Sequence, residues 1–198
     1  MDFDISRSLA SVMYQCAAYK PQSGCIPLRI KKKKLAQQVA LSNGEMAKLF
    51  TIDFQVMLVT SGGGDSWVFP KGSIKKSETK KEAAKRETFE EAGLEGKFAK
   101  SIPPLEVADH HKECNLTYYV LYVKKVNKQF DEADKRKRHW FSLATVLQEA
   151  IPMKPHIQQA IISTQRALNI HSSSFGNVIK IEYKTKKKEV EAALLSKL

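Results

Sequence analysis

Cysteines, long apolar runs and targeting signals are scarce or missing in this sequence of 198 residues. The three cysteines, Cys16, Cys25 and Cys114, show no metal-ligand spacing, and three thiols cannot all pair with one another. This favours a reducing compartment. No apolar run approaches the length of a membrane span, and the first residues lack the basic-then-apolar order of a secretory signal. We therefore expect an intracellular, cytoplasmic protein without a membrane partner.

The chain also shows no internal repeat, and its length suits one packed domain with additions rather than two large domains. We predict a domain over residues 1–170 with a basic insert at about 21–50, and a basic C-terminal extension over 171–198. The insert carries the lysine run 31–34, and we predict a helix after it that ends at residue 41 or 50. For both segments, a solvated extension and a role in holding anionic ligands remain open.

Acidic residues are outnumbered, with 21 Asp and Glu against 33 Lys and Arg, so the formal net charge is +12. Such a charge attracts polyanions: nucleic acid, an acidic membrane surface or a densely phosphorylated small molecule. The sequence shows none of the known RNA-binding modules. A polyanionic small molecule is therefore the expected partner, and RNA is the second choice.

Predicted strands and helices alternate along the chain. Apolar and β-branched runs predict strands over 11–19, 54–60, 67–70, 117–126 and 138–141. Helical spacing predicts helices from Ser77 to Gly93, over 143–150 and over 157–168. The alternation indicates an α/β fold with a mixed sheet covered by helices on both faces.

The segment 72–94 carries the main chemical signal. Glu87, Glu90 and Glu91 are spaced i, i+3 and i+4, so on a helix they share one face and repel one another. A hard cation such as Mg²⁺ removes that repulsion, because it binds carboxylate oxygens together with substrate phosphates. The alternative is an ordinary solvated acidic face, which would not require glycine at both ends of the segment.

The same segment resembles the signature of the Nudix hydrolases. The matching positions are Gly72, Glu78, Arg86, Glu87, Glu90, Glu91, Gly93 and Leu94. Thr88 departs from the aliphatic residue of the signature. The resemblance implies an α/β/α sandwich and hydrolysis of a phosphoanhydride. It implies that Glu87, Glu91 and the Gly72 carbonyl bind Mg²⁺ or Mn²⁺, and that Glu90 binds a further metal or takes the proton from water. Both Glu87 and Glu90 are candidate catalytic residues, since the family varies in its choice of base.

Three other residues of the signature are expected to have structural roles. Arg86 lies outside the acidic stripe and should anchor the loop or orient a glutamate by bidentate pairing. Glu78 lies near the start of the helix, where the helix dipole favours an acidic side chain. Gly93 follows the last helical residue, where a left-handed conformation is usual.

Segments around the signature resemble one subfamily, the diphosphoinositol polyphosphate phosphohydrolases, which also act on diadenosine polyphosphates. They are 67–72, 90–97 and 136–141, and the likeness runs from about 54 to 169. Ser66 and Ser73 depart from that pattern. The resemblance implies that basic residues on the rim bind substrate, with Arg138 as the first choice for a phosphate clamp. The other predicted substrate-binding residues are Lys71, His111 and Lys112. A Nudix enzyme acting on capped RNA or other nucleoside diphosphate derivatives is the alternative.

Overall fold

The computed structural model describes residues 20–40, 46–109, 114–168 and 178–181, and the side chains of all these residues except 32–51 and 178–181. Within these residues, nine strands form one sheet with two helices beside it. The strands are β1 Lys20–Ala40, β2 Met46–Thr60, β3 Trp67–Val68, β4 Lys71–Ser73, β5 Leu94–Phe98, β6 Leu105–Asp109, β7 Cys114–Val126, β8 Arg138–Ser142 and β9 Val178–Ile181. The helices are α1 Lys80–Ala92 and α2 Pro155–Ala167. Neither helix is long and apolar enough to cross a membrane.

The sheet is mixed, as predicted. Its central order is β3-β2-β1-β7-β5, while β4 also pairs with β1, β6 with β7, and both β8 and β9 with β2. Strand β1 runs parallel to β7, with Ile26 opposite Val120. It runs antiparallel to β2, with Leu28 opposite Val56. A parallel pair at the centre with antiparallel partners outside it matches the predicted α/β class.

The two faces of the sheet are covered by different helices. Ile26 of β1 is fully buried in the main apolar cluster, together with Ile157 and Ile161 of α2. Its neighbour Cys25 belongs to a smaller cluster with Ala84 of α1. Because successive side chains of a strand point to opposite faces, α1 and α2 lie on opposite sides of the sheet. The architecture is therefore an α/β/α sandwich.

The strands predicted over 54–60, 117–126 and 138–141 are confirmed as parts of β2, β7 and β8, and α2 confirms the last predicted helix. Of the strand predicted over 67–70, only Trp67 and Val68 form β3. The strand predicted over 11–19 lies outside the described residues. The domain limits at 170 and 171 remain predictions.

The helix predicted within 21–50 is wrong, because the described residues 21–40 and 46–50 of this segment belong to β1 and β2. In the first part of the predicted insert, Cys25, Ile26 and Leu28 are fully buried between β2 and β7, while the insert itself stays a prediction. The lysine run 31–34 suits a helix by local propensity. Its backbone is nevertheless paired with β2, where Lys33 lies opposite Ile52, so tertiary pairing overrides propensity here.

The short helix predicted over 143–150 is also wrong, because the segment is a series of turns. One helical bond forms, from the Val146 amide to the Ser142 carbonyl at 2.9 Å. The next bonds are shorter-range, from Gln148 to Thr145 and from Ile151 to Glu149. Pro152 then disfavours helical backbone at the residue before it, so the helix does not propagate.

Candidate active site

Helix α1 is held at both ends by local hydrogen bonds. Its N-cap is Thr79, two residues after the predicted Ser77, and Thr79 and Glu82 form a reciprocal capping box. Gly93 ends the helix at φ +65°, a left-handed conformation that glycine adopts without strain. Thr88 is fully buried and donates to the Ala84 carbonyl at 2.7 Å. Its hydroxyl is therefore satisfied where the signature has an aliphatic residue.

The acidic face of α1 is held by arginines and backbone amides. Arg86 Nη1 donates to Glu87 Oε1 at 2.7 Å and to Glu90 Oε2 at 2.9 Å. Glu91 accepts from the Lys71 amide at 2.9 Å and from Nη2 of Arg136. Each of the three carboxylates thus has a fixed partner, and the repulsion among them is offset by cationic groups.

Gly72 lies directly against the carboxylate of Glu87. A Cβ at position 72 would overlap all three atoms of that carboxylate group. The residue belongs to β4, whose pairing with β1 places Gly72 opposite Ser23. A side chain at position 72 would therefore displace the Glu87 carboxylate, and the backbone of Gly72 is next to the acidic face of α1.

Arg86 also anchors the loop before the helix. Its Nε and Nη2 donate to the two oxygens of Glu78 at 2.5 and 2.8 Å, and Nη2 donates to the Ser73 carbonyl at 2.9 Å. These hydrogen bonds lower the pKa of Glu78 to about 2 and raise the pKa of Arg86. One guanidinium thus joins the loop, Glu87 and Glu90 into a single ion network.

Glu91 is the most buried of the three glutamates, with 6% of its surface exposed. Burial raises the pKa of its carboxyl to about 7, although the Lys71 amide and the charge of Arg136 act in the opposite direction. Removal from water disfavours the charged form, so this carboxylate has the strongest need for a compensating cation.

Arg136 belongs to the site, although the sequence analysis gave it no role there. Its guanidinium contacts Glu91, Glu132 and the Thr60 carbonyl, the last at 2.7 Å. Arg136, Arg138 and Trp140 are half-buried, whereas the residues between them are exposed. This alternation is typical of extended backbone, in which every second side chain points to the same face. The number of basic residues in the run 135–138 does not show which side chains point into the fold and which point into solvent.

Arg138, the predicted phosphate clamp, is placed at the C-terminal end of α1. Its Nη1 donates to the Ala92 carbonyl, its Nη2 donates to the Asn127 carbonyl at 2.7 Å, and its guanidinium lies 4.6 Å from the ring centre of Phe130. A cation at this position satisfies helix carbonyls and complements the helix dipole. Both terminal nitrogens are thus bonded to protein carbonyls at the helix end, and the role of Arg138 as a phosphate clamp stays a prediction.

A cavity of about 70 Å³ opens beside Glu91. Lys71 and Arg136 line it, together with Asp109, Lys154 and His156, which the sequence analysis did not predict. Asp109 is buried, and its Oδ2 lies 3.7 Å from both Lys154 Nζ and His156 Nδ1. No local motif links these three residues, because β6 and α2 meet only in the fold. The predicted residues His111 and Lys112 lie outside the described residues.

The donor set suits a divalent cation. Across the described ranges, no three Asp, Glu, His or Cys side chains already converge as a metal-ligand cluster. The chemistry nevertheless fits Mg²⁺, because Glu87, Glu90 and Glu91 offer carboxylate oxygens on one helix face. The contact between Gly72 and Glu87 brings a backbone segment with its carbonyl oxygen to the same place. These four residues are the ones that could hold the ion.

Comparison with known proteins agrees with this site. Residues 45–161 match the NUDIX domain family. Nudix hydrolase 4 of Arabidopsis thaliana is 33% identical over 66% of this chain and 58% of its own length. Nudix hydrolase 16, mitochondrial, of the same plant is 29% identical over 71% of this chain and 76% of its own. Diphosphoinositol polyphosphate phosphohydrolase 3-beta of Bos taurus is 33% identical over 51% of this chain and 63% of its own.

Proposed function

The chain belongs to the NUDIX family and is a hydrolase, and from this premise we propose that it cleaves phosphoanhydride bonds of diphosphoinositol polyphosphates, with diadenosine polyphosphates as further substrates. Enzymes of this family use divalent metal ions such as Mg²⁺. The observation that carries the proposal is the acidic face of α1, with Glu87 against Gly72 and Glu91 beside a cavity lined by cationic residues.

In the proposed mechanism, Glu87, Glu91 and the Gly72 carbonyl would hold Mg²⁺, or Mn²⁺ in its place, and Glu90 would either hold a further metal ion or act as the base. When bound, the ion supplies positive charge that stabilises the phosphate oxygens in the transition state. Arg86 keeps Glu87 and Glu90 within hydrogen-bonding distance of one guanidinium nitrogen. Of these two, Glu90 has the more exposed side chain, at 30% against 14%, which favours it as the base that removes a proton from the attacking water.

Three cationic side chains on the cavity wall support a polyanionic substrate. Lys71, Arg136 and Lys154 surround the space next to Glu91. An arginine fork and lysine ammonium groups are the usual partners of phosphate oxygens. Two relatives at 33% and 32% identity have names that describe diphosphoinositol polyphosphate phosphohydrolases. Each match covers 51% of this chain, so the substrate is part of the proposal.

A second candidate is an enzyme acting on capped RNA or another nucleoside diphosphate derivative. The net charge of +12 and the lysine run at positions 31–34 of β1 favour it.

We also propose a cytoplasmic location. The basic run 135–138 resembles a nuclear-import signal, so the nucleus is the second candidate location.

A substrate panel at equal Mg²⁺ concentration tests the proposal. A diphosphoinositol phosphate, diadenosine hexaphosphate and capped RNA are compared by product release. We expect fastest turnover of the diphosphoinositol phosphate, and fastest turnover of capped RNA would select the second candidate. Absence of turnover on all three by the folded protein would refute both.

The variant Glu91→Gln tests the role of the acidic face. We expect turnover to fall at least about 100-fold, a loss typical for removal of a catalytic carboxylate. Mn²⁺ affinity, measured by calorimetry, should fall with it. Glu149→Gln removes the same charge from an exposed turn and should leave both quantities unchanged. Unchanged turnover in Glu91→Gln would contradict the assignment.

A further inference from the structure

A second groove lies on the sheet, away from the acidic face of α1. Six of the residues that line it are Arg29, Lys31, Gln55, Met57, His139 and Trp140, and we name it the Arg29 groove. Its volume of about 380 Å³ falls within the range of ligand sites in proteins. The sheet register explains the grouping, because Arg29 lies opposite Gln55 and Met57 lies opposite Trp140 across three adjacent strands.

Helix α1 leaves this part of the sheet uncovered. Ser23 and Cys25 of β1 contact α1 through hydrogen bonds to the Lys80 and Ala84 carbonyls, at 2.7 and 3.4 Å. Arg29 lies four residues after Cys25, so by strand alternation its side chain is on the same face, beyond the helix. The Arg29 groove therefore continues the α1 face of the sheet past the end of the covering helix.

The guanidinium of Arg29 is held in one orientation. Its carbon lies 4.1 Å from the centre of the Trp140 ring, and its Nε and Nη2 donate to Gln55 Oε1 at 3.0 and 2.8 Å. Burial lowers the pKa of Arg29, whereas the charge of Asp53 raises it. An arginine fixed between an aromatic ring and an amide presents a flat cationic surface, which is a stacking platform for a nucleobase.

The surroundings add charge and apolar surface. None of the residues lining the groove is acidic, and Lys31 and Arg138 add cationic groups to Arg29. The half-buried Trp140 and the exposed Val126 supply apolar contact area, whereas Met57 is buried. Strand β1 continues from Lys31 through Lys32 to Lys34, so further lysines follow directly along the backbone. A ligand that contacts both the cationic groups and the apolar surface of the groove has flat rings joined by a chain of negative charges.

We propose that the Arg29 groove binds single-stranded nucleic acid, with a base stacked on the Arg29 guanidinium and phosphates beside Lys31. An inositol polyphosphate would match the charge but would leave the stacking platform unused. A duplex keeps its bases stacked on one another, so they cannot reach Arg29. This site goes beyond the proposed hydrolysis, because in the described part of the chain none of its six named residues forms a hydrogen bond or ion pair with Glu87, Glu90 or Glu91. Arg138, which also lines the groove, bonds the Ala92 carbonyl at the end of α1.

Fluorescence anisotropy with a fluorescein-labelled 12-nucleotide uridine RNA, and with DNA of the same length, tests the proposal. We expect binding at 50 mM KCl that weakens at 200 mM KCl, because phosphate contacts release counterions. Arg29→Ala should lower the affinity about tenfold, the order expected for one stacked base. Arg29→Lys keeps the charge without the plane and should also bind more weakly. Lys100→Ala, which removes one exposed charge elsewhere, is the matched control and should stay within twofold of the original chain.

Tryptophan fluorescence locates the bound strand. The chain has two tryptophans, so Trp67→Phe leaves Trp140 as its one indole reporter. We expect the single strand to quench Trp140 emission, while inositol hexakisphosphate and polyglutamate do not. Preference for RNA over DNA would show that the 2′-hydroxyl contributes, and equal binding would show that stacking and phosphates suffice.

Several results would overturn the proposal. They are no binding at 50 mM KCl, equal loss in Arg29→Ala and Lys100→Ala, duplex binding as tight as single-strand binding, and equal quenching by polyglutamate or inositol hexakisphosphate. Hydrolysis of diadenosine hexaphosphate is measured in parallel and should be unchanged in Arg29→Ala. Failure of the hydrolase assay would leave the binding result intact, so the two proposals are tested separately.

Discussion

At the scale of single residues, the candidate active site depends on two arginines that divide the acidic face between them. Arg86 bonds Glu87, Glu90 and Glu78, whereas Arg136 bonds Glu91 and Glu132. Their chemistry is the same, but their positions in the sequence differ by 50 residues. Arg86 lies within the helix that it organises. Arg136 reaches the same helix only because β8 pairs with β2.

Two substitutions of Arg136 test whether Glu91 needs only a nearby positive charge or also the hydrogen-bond geometry of the guanidinium. In Arg136→Ala the buried Glu91 carboxylate loses a charged hydrogen-bond donor, which costs about 1.5–3 kcal/mol of unfolding free energy. Arg136→Lys keeps the charge but cannot contact Glu91, Glu132 and the Thr60 carbonyl together. We expect turnover to fall more than tenfold in both variants, measured with stability by urea unfolding. Equal turnover in Arg136→Lys and the original chain would show that the charge alone suffices.

Gly72→Ala tests the contact between β4 and α1. The new methyl group would overlap the Glu87 carboxylate, so either the side chain or the strand must move. Overpacking of this kind costs about 1–3 kcal/mol. We expect weaker Mn²⁺ binding, measured by calorimetry, and lower turnover. Gly62→Ala is the control for stability and Mn²⁺ affinity alone, because a Cβ there meets no atom within 4 Å but the residue lines the cavity beside Glu91. Loss of stability without loss of metal affinity would disprove the proposed role of position 72.

At the scale of elements, α1 was the part that the sequence predicted best. Its capping glycine and acidic face are local signals, since Glu87, Glu90, Glu91 and Gly93 lie within seven consecutive residues. The Arg29 groove and the Asp109–Lys154–His156 group were not predictable in this way. Each combines strands or helices that are far apart in the sequence, and only the pairing of β1, β2, β6, β7 and β8 brings them together. The strand β1 was missed because its lysine run obscured the buried residues that precede it.

The Glu78–Arg86 pair should tie the loop before α1 to the helix in a pH-dependent way. The folded-state pKa of Glu78 is about 2, below its ordinary value of 4.5. A lowered pKa means that the ionised pair stabilises the fold above about pH 4.5, and that this contribution disappears as the pH falls towards 2. The difference in melting temperature between the original chain and Glu78→Gln should therefore be largest above pH 5 and close to zero at pH 2. A difference that does not change with pH would show that the charge of Glu78 is not involved.

At the scale of the whole molecule, the sandwich is joined by a few contacts between α1 and β1. Cys25 is fully buried there, and its thiol donates to the Ala84 carbonyl at 3.4 Å. Ser23 bonds both the Lys80 carbonyl and the Thr117 carbonyl, so one hydroxyl connects helix α1 to strand β7. The helix that carries the acidic face is thus fixed to the centre of the sheet. Opening of this contact requires loss of core packing.

The reactivity of Cys25 should report that opening. Burial raises the pKa of its thiol to about 12, so at pH 8 the folded protein contains almost no thiolate at this position. The unfolded chain has an ordinary thiol pKa, and only the thiolate reacts with iodoacetamide. We expect modification of the Cys25 peptide, followed by mass spectrometry, to be negligible in buffer and to rise with urea along the global unfolding curve. Rapid modification at low urea, before the loss of tryptophan signal, would mean that α1 separates from β1 in a local transition. In that case the acidic face would not be fixed by the core, and its glutamates would have to be positioned by the arginines alone.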